Sequence, residues 1–176
     1  MPHVMVDIET LGTRPGDCIL SIGAVVFDPT RTEGDFESVF YETINMQESW
    51  CAGFTSTKST VEWWAKQSPQ ARAAAFAGEA TPKNALQAFA NWVPKDSMVW
   101  GNGANFDNTL LSAAFRLCNV RQPWEFWNDR CYRTMKAQYQ DVPVQRVGVY
   151  HNALDDAKTQ ARHLQRIVAK HNITLG

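Results

Sequence analysis

Paired cysteines, long apolar runs and a net positive charge are all missing from this 176-residue sequence. Its four cysteines, scattered between Cys18 and Cys131, show no C-x-x-C spacing and no paired Cys/His set, which argues against a zinc site. No apolar run approaches the length of a membrane span. Because the first predicted strand starts almost at Met1, we expect no cleavable segment before it. We therefore expect a protein of the reducing cytoplasm with no membrane contact.

A strong charge imbalance is also absent, since the net charge is −1. A broad basic groove that grips duplex DNA is therefore not expected, whereas a site for one strand end, with metal ions neutralising phosphate, stays compatible with the composition. Repeats, low-complexity tracts and linkers are absent as well, so we predict one domain over residues 1–176. Apolar residues make up 44% of the chain, enough for a real core.

Three segments near the N-terminus have the pattern of β-strands. Residues 4–9 alternate, so that the odd-numbered side chains, including Asp7 and Glu9, share one face. Residues 18–28 and 36–44 follow after short turns, which predicts an antiparallel three-stranded meander with the first strand in a central position. A further strand is predicted at 97–104.

Capping patterns predict helices in the middle of the chain. Ser59 with Glu62 resembles a capping box ahead of an apolar segment. Ser68 and Thr81 each precede a proline, which is typical of an N-cap followed by proline at the first helical position.

The second half of the chain completes an α/β pattern. Helices are predicted at 107–118 and 130–140, and a long final helix is predicted with Asn152 as its N-cap. The stretch 45–60 is predicted to be a long loop. We expect a mixed sheet flanked by helices.

The two acids of the first strand raise the first functional question. Asp7 and Glu9 share one face of a strand that we expect to be central, where two carboxylates would be poorly hydrated and would repel each other. A hard divalent cation would relieve that repulsion. A solvated polar strand face explains this pair equally well when it is taken alone.

Three further residues stand at the ends of predicted elements. Asp107 falls where a strand ends and a helix begins, and alone it is interpreted as a helix cap. His151 and Asp156 are five residues apart, a rotation of about 140° on a helix, so they share a side only if His151 precedes the helix. With Asn152 as N-cap, His151 lies in a loop, Asp156 lies one turn into the helix and Asp155 faces outward. Taken singly, each is more simply a capping or first-turn residue.

Together these residues resemble the motifs of the DEDDh 3′–5′ exonucleases. The matching stretches, in order, are D-I-E-T at 7–10, N-F-D at 105–107 and H-x-x-x-x-D at 151–156. The segments MVDIETLGT, TVEWW and PWEFWNDRCYRT are similar to a subgroup of small phage and bacterial proteins, which includes RNase AS-type exoribonucleases and exodeoxyribonuclease-like phage relatives. The resemblance implies an RNase H-like fold. It also implies an enzyme that hydrolyses the 3′ end of single-stranded DNA or RNA and releases nucleoside 5′-monophosphates.

The same resemblance implies roles for individual residues. Two divalent ions, Mg²⁺ or Mn²⁺, would be held by four acids: Asp7, Glu9, Asp107 and Asp156. Asp7 would bridge both ions, Glu9 would help hold the ion beside the attacking water, and His151 would be the general base. Thr10 and Leu11 match positions that contact the terminal nucleotide, although Leu11 is equally well interpreted as a core residue.

The sequence offers several candidates for stacking on a base and leaves the oligomeric state open. Phe106, Trp63 or Trp64 could add stacking on a base, although core packing is the simpler interpretation of the two tryptophans. The expected partner is the 3′ end of a nucleic acid, and a homodimer is compatible with the resemblance.

Three alternatives stay open at this point. An RNase H-type endonuclease, or a metal-dependent phosphodiesterase acting on a small dinucleotide, could use the same carboxylates. A non-catalytic nucleic-acid-binding module could keep the fold. The acids and the histidine do not distinguish DNA from RNA.

Overall fold

Five strands form a single sheet in the computed structural model, which describes residues 1–175. Gly176, the last residue of the predicted domain, lies outside the described residues. The strands are β1 His3–Thr10, β2 Ile19–Phe27, β3 Phe36–Thr43, β4 Met98–Gly101 and β5 Asp129–Cys131. Their order across the sheet is β3-β2-β1-β4-β5.

The first three strands form the predicted meander. β2 pairs antiparallel with both β1 and β3, while β4 pairs parallel with β1 and with β5. The sheet is therefore mixed, and β1 is its central strand. This confirms the predicted fold class and places the face that carries Asp7 and Glu9 at the middle of the molecule.

Seven helices are described between residues 1 and 175, in addition to a 3₁₀ turn at Phe126–Asn128. Their bounds are α1 Met46–Cys51, α2 Lys58–Trp64, α3 Pro69–Phe76, α4 Pro82–Trp92, α5 Asp107–Leu117, α6 Tyr132–Gln138 and α7 Ala153–His171. No helix in this described range is long and apolar enough to cross a membrane.

The two faces of the sheet pack against different helices. The even-numbered side chains of β1, such as Val4 and Val6, join a large core with α3, α4 and α5. On the opposite face, Met5 packs with α7 residues that include Ala161 and Leu164. The face that carries the two acids is therefore the face covered by α7.

Three predicted N-caps are confirmed by hydrogen bonds to backbone N–H groups. Ser68 accepts from Ala71 at 3.1 Å, Thr81 accepts from Asn84 at 3.3 Å, and the Asn152 amide oxygen accepts from Asp155 at 3.1 Å. Each side chain satisfies a first-turn N–H that has no partner within its helix.

Two predictions in the region 45–64 are wrong. The capping box at Ser59 does not form, because α2 already begins at Lys58 with Thr57 as its N-cap residue, and the Thr57 hydroxyl bonds the Asp17 carboxylate. The stretch 45–60 is not a continuous loop, because Asn45 caps α1 by accepting from the Glu48 N–H at 3.0 Å.

Two element boundaries also differ from the predictions. The strand predicted at 97–104 ends at Gly101, because the following N–H of Asn102 turns to donate to the Asp107 carboxylate at 2.8 Å. The helix predicted at 130–140 begins only at Tyr132, since Asp129–Cys131 adds to the sheet as β5.

Candidate active site

One cleft of about 470 Å³ collects the predicted acidic residues and the predicted histidine. It lies beyond the C-terminal end of β4 and against the acidic face of β1, where α7 approaches the sheet. Six residues singled out from the sequence line it: Asp7, Glu9, Phe106, Asp107, His151 and Asp156. These residues come from three separate parts of the chain, so only the tertiary fold brings them together.

Asp107 is fixed by one backbone donor in β1 and one just after β4. Its Oδ2 accepts from the Asn102 N–H at 2.8 Å, and its Oδ1 accepts from the Ile8 N–H at 3.3 Å. A side chain at Gly101 would collide with Asp107 and Asn108, so glycine at this position lets the first residues of α5 pack against the end of β4. The carboxylate therefore joins β4 to β1 beside the two strand acids.

Asp7 is held from the opposite side by α7. The Gln160 amide donates to its Oδ1 at 2.6 Å. Gly23, which pairs with Asp7 across the β1–β2 ladder, lies under the first residues of α7, and a Cβ there would overlap the backbone of Ala153 and Leu154. The missing side chain lets the start of α7 lie close to the sheet and brings Asp156 over Asp7 and Glu9.

His151 lies in the loop immediately before α7, as predicted, in a left-handed backbone conformation with φ of 61°. Its N–H donates to Asp156 Oδ2 at 3.2 Å. Its ring contacts Trp63 edge-to-face, with the ring centroids 4.8 Å apart. The imidazole is therefore placed between an aromatic wall and the carboxylates.

Burial and mutual repulsion disfavour the charged forms of the acids. Burial raises the pKa of Glu9 to about 8, with a further contribution from Asp107, and the charge of Arg146 opposes the rise. Burial also raises the pKa of Asp107 to about 7 despite its backbone donors. The pKa of Asp7 is raised well above its usual range, first by burial and then by Asp107 and Glu9. Without a cation, the cleft therefore holds protons near neutral pH.

The donor set fits divalent cations. Carboxylate oxygens are the ligands that Mg²⁺ and Mn²⁺ prefer. Glu9, His151 and Asp156 each offer a ligand atom, and these atoms lie within 4.8 Å of one another. The Gln160 Oε1 is buried and has no protein partner, although the side chain lines the same cleft. Such an orphaned acceptor is typical of a site that also holds water or an ion.

A second cleft, of about 400 Å³, adjoins the first through Glu9 and Phe106. Thr10 and Trp63 also line it. Leu11 does not: it is 1% exposed and packs in the large core, which favours the core interpretation over contact with a nucleotide.

The two neighbouring tryptophans have different environments. Trp64 is buried and donates its indole N–H to the Thr10 carbonyl at 2.8 Å, which confirms core packing for this residue. Trp63 is 41% exposed, so the core interpretation is wrong for it. Adjacent side chains on a helix are rotated by about 100°, so Trp64 packs into the core while Trp63 stays exposed at the wall of the second cleft.

Several cleft residues have no counterpart in the sequence analysis. They are Asn102, Lys136, Val144, Arg146, Tyr150, Thr159 and Gln160. Tyr132 and Arg133 also line it, and the sequence analysis includes them only as part of the segment PWEFWNDRCYRT, without a role. Gln160 follows Asp156 by four positions, so helical spacing could have indicated that the two share a side of α7. Arg146 lies in an irregular loop, where no periodicity indicates the direction of a side chain.

One expectation for the α7 N-terminus is wrong. The sequence predicts that Asp155 faces outward, but it is only partly exposed and its Oδ2 accepts from the Val149 N–H at 2.8 Å. The carboxylate thus attaches the preceding loop to the helix. This bond helps to fix the segment that carries Arg146 and His151.

Comparison with known proteins gives a consistent result. The model of the 3′-5′ exoribonuclease Rv2179c-like domain matches residues 2–168. A protein of Enterobacteria phage T4 named exodeoxyribonuclease is 26% identical over 155 residues, which covers 74% of this chain and 68% of the phage protein.

Solved structures agree on the fold. The nuclease domain of 3′hExo, a DEDDh family member bound to rAMP, superposes with a TM-score of 0.62 at 13% identity and covers 96% of this chain and 92% of that domain. Pop2p of S. pombe, in its Mg²⁺- and Mn²⁺-bound form, superposes with a TM-score of 0.55 at 13% identity and covers 96% and 84% of the two chains. The sheet and its flanking helices therefore form the DEDDh exonuclease fold.

Proposed function

This chain belongs to the 3′-5′ exoribonuclease Rv2179c-like domain family and is a 3′-5′ exonuclease, and we propose that it uses two divalent cations to hydrolyse the terminal phosphodiester bond of a single strand. The observation that carries the proposal is the convergence of four acids and one histidine in one cleft. The match over residues 2–168 also supports a single catalytic domain over residues 1–176.

The cations would be held by the four cleft acids: Asp7, Glu9, Asp107 and Asp156. Bound there, they supply positive charge for the phosphate and for the departing 3′ oxygen. Asp7 would take part in holding both ions, because its carboxylate interacts electrostatically with Asp107 and with Glu9 on the same strand. Gln160 restrains Asp7 through one oxygen and leaves the other free.

We assign His151 as the general base that accepts a proton from the attacking water. Burial, with a smaller contribution from Arg146, lowers the pKa of His151, so the ring is neutral at pH 7 and able to accept a proton. Its position outside α7 leaves the imidazole attached to a loop rather than fixed in a helical face. The Trp63 ring limits where the imidazole can move.

The second cleft is suited to the 3′-terminal nucleotide. It opens from the acids at Glu9 and Phe106, and its walls combine the Trp63 ring with the hydroxyl-bearing residues Thr10 and Thr13. An exposed indole offers a stacking surface for any base. A single-stranded 3′ end could thus place its last base there and its last phosphate over the acids.

Digestion of a 5′-labelled oligonucleotide tests the function. RNA and DNA strands of one sequence, each with a free and a blocked 3′ end, are incubated with Mg²⁺ and with Mn²⁺. We expect a ladder that shortens from the free 3′ end and releases nucleoside 5′-monophosphates. Cleavage that ignores the block would instead indicate an endonuclease, and no metal-dependent release would remove the proposal.

Matched variants assign the roles. Asp7→Asn should lower turnover by orders of magnitude, whereas Asp96→Asn, an exposed position far from the cleft, should not. His151→Ala should lower turnover by about 10²–10⁴-fold while Mn²⁺ affinity, measured by calorimetry, changes little. His171→Ala is its control. A loss of Mn²⁺ binding in His151→Ala as large as that in Asp7→Asn would make the histidine a ligand instead.

A further inference from the structure

Arg146 points into the acidic cleft from the loop between α6 and α7. Its guanidinium forms an ion pair with Asp156, and the two side chains are only 20% and 14% exposed. Its Cζ lies 4.1 Å from the centroid of the Tyr150 ring, and an Nη donates to the Val149 carbonyl. Its Nε is buried and has no partner. The head group is therefore held between a carboxylate and an aromatic face, with one donor unused.

The charge of Arg146 acts on the whole acidic cluster. It lowers the pKa of both Asp7 and Glu9, against the larger effect of burial. In the metal-free cleft the guanidinium thus neutralises part of the charge that divalent cations would otherwise neutralise. Arg133 also lines the cleft, but it donates to the Asn102 carbonyl.

A guanidinium and divalent cations compete for Asp156. The Asp156 carboxylate offers its Oδ1 to Arg146 and accepts the His151 N–H at its Oδ2, so each oxygen already has a partner, and a cation would share or replace one of them. Cations in the cleft would also repel the guanidinium directly. A cation that binds Asp156 at Oδ1 would therefore displace Arg146 from this carboxylate.

The loop backbone keeps Arg146 at the cleft after that exchange. Val147 donates to the Thr159 hydroxyl at 3.1 Å, and Val149 donates to Asp155 at 2.8 Å. Both acceptors lie on α7, and the two bonds hold the backbone just after Arg146, on either side of Gly148, so the side chain can turn while its Cα stays in place. A planar guanidinium released there, with several free donors, is suited to bind a phosphate through two parallel hydrogen bonds.

We propose that Arg146 is a substrate-binding residue that holds Asp156 in the metal-free protein and transfers to a phosphate of the nucleic-acid strand when divalent cations occupy the acids. The proposal rests on the proposed function, because it takes the cleft as a metal-dependent nuclease site. It predicts effects of opposite sign for one substitution: removing the guanidinium strengthens cation binding and weakens strand binding.

Arg146→Gln tests this pair of effects. Mn²⁺ affinity is measured by calorimetry without nucleic acid, and KM and kcat are measured on a labelled single strand. We expect Mn²⁺ to bind about fivefold more tightly, the effect of removing one partly screened ion pair. We expect KM to rise about tenfold or more, with a smaller change in kcat. Arg72→Gln, an exposed arginine on α3, is the control and should change neither quantity.

Arg146→Lys separates charge from geometry. Lysine keeps the positive charge, so the Mn²⁺ affinity should stay near that of the unaltered protein. Lysine cannot form a bidentate contact with a phosphate, so KM should still rise. If circular dichroism shows that Arg146→Gln is poorly folded, Arg146→Lys still tests the contact with the phosphate.

Each contrary result would overturn a different part of the proposal. Weaker or unchanged Mn²⁺ binding in Arg146→Gln would overturn the competition for Asp156, and an unchanged KM would overturn the phosphate contact. If the unaltered protein binds no Mn²⁺ and digests no strand, it is the proposed function that fails. If it digests strands but the variants show no paired effect, only the assignment of Arg146 fails.

Discussion

Glu9→Gln should stabilise the metal-free protein at pH 8 while it abolishes nuclease activity. Glu9 is 7% exposed, and burial together with Asp107 raises its pKa from 4.5 to about 8. The folded state therefore retains a proton that the unfolded chain releases between these two values. Stability linked to Glu9 is consequently present below pH 4.5 and is lost as the pH rises toward 8.

The magnitude follows from the size of the pKa rise. At about 1.4 kcal/mol per pKa unit, the ionised Glu9 destabilises the fold by about 4 kcal/mol at pH 8. Glutamine removes the charge but buries an amide, which costs about 2 kcal/mol when it lacks partners. A net gain of about 2 kcal/mol raises the melting temperature of a domain of this size by about 4–8 °C. At pH 5 the charge effect is below about 1 kcal/mol, so the gain should vanish or reverse.

Thermal melts in EDTA at pH 5 and pH 8 measure the effect. Glu37→Gln, an exposed glutamate on β3, is the matched control and should not change the difference between the two melting temperatures. Added Mn²⁺ should stabilise the unaltered protein more than Glu9→Gln, because the variant lacks a ligand. A melting temperature of Glu9→Gln at pH 8 that is equal to or below that of the unaltered protein would refute the reasoning.

Two further substitutions address the walls of the clefts. Gln160→Met removes the donor to Asp7 while nearly keeping the volume, so Mn²⁺ affinity and kcat should both fall about tenfold with the fold intact, as calorimetry and steady-state kinetics would show. Normal values would leave Gln160 without a role. Trp63→Ala should raise KM for a single strand about tenfold through lost stacking, whereas Trp127→Ala, also exposed but outside both clefts, should not. Equal effects of the two tryptophans would contradict a specific base contact.

The parts of the fold that were predictable from sequence depend on local chemistry. Alternation over residues 4–9 gave the faces of β1, because a strand has a period of two wherever it lies. Asn152 was predictable as the cap of α7, because its side chain bonds an N–H three residues away. The placement of His151 outside the helix followed directly from that cap.

The parts that were not predictable depend on distant contacts. β5 has only three residues, too few for a periodic pattern, and it exists because β4 offers an open edge. The start of α2 was misplaced because the Thr57 hydroxyl bonds Asp17, forty residues earlier in the chain. Neither the β4 edge nor Asp17 can be inferred from the residues next to β5 or to the start of α2.

The candidate active site also contains residues that can be predicted from the sequence and residues that cannot. The acids and the histidine are found because their types and order are specific, whereas Arg146 and Gln160 act only through the packing of α7 and its preceding loop against β1. Trp63 and Trp64 illustrate the difference within one dipeptide: their sequence context is the same, yet one indole bonds the Thr10 carbonyl and the other faces the cleft.

The raised pKa values connect these missed residues to the chemistry. Asp7, Glu9 and Asp107 resist ionisation in the metal-free cleft, so charge in this cluster opposes folding. Gln160 and Arg146 relieve part of that cost by donating to Asp7 and Asp156, but a neutral amide and a single guanidinium charge leave most of the repulsion in place. The remaining cost is what divalent cations would remove. A neutral amide only orients Asp7, whereas a guanidinium competes with cations, so the cleft binds cations more strongly when Arg146 is absent. The guanidinium that a cation displaces is then released toward the strand to be cut.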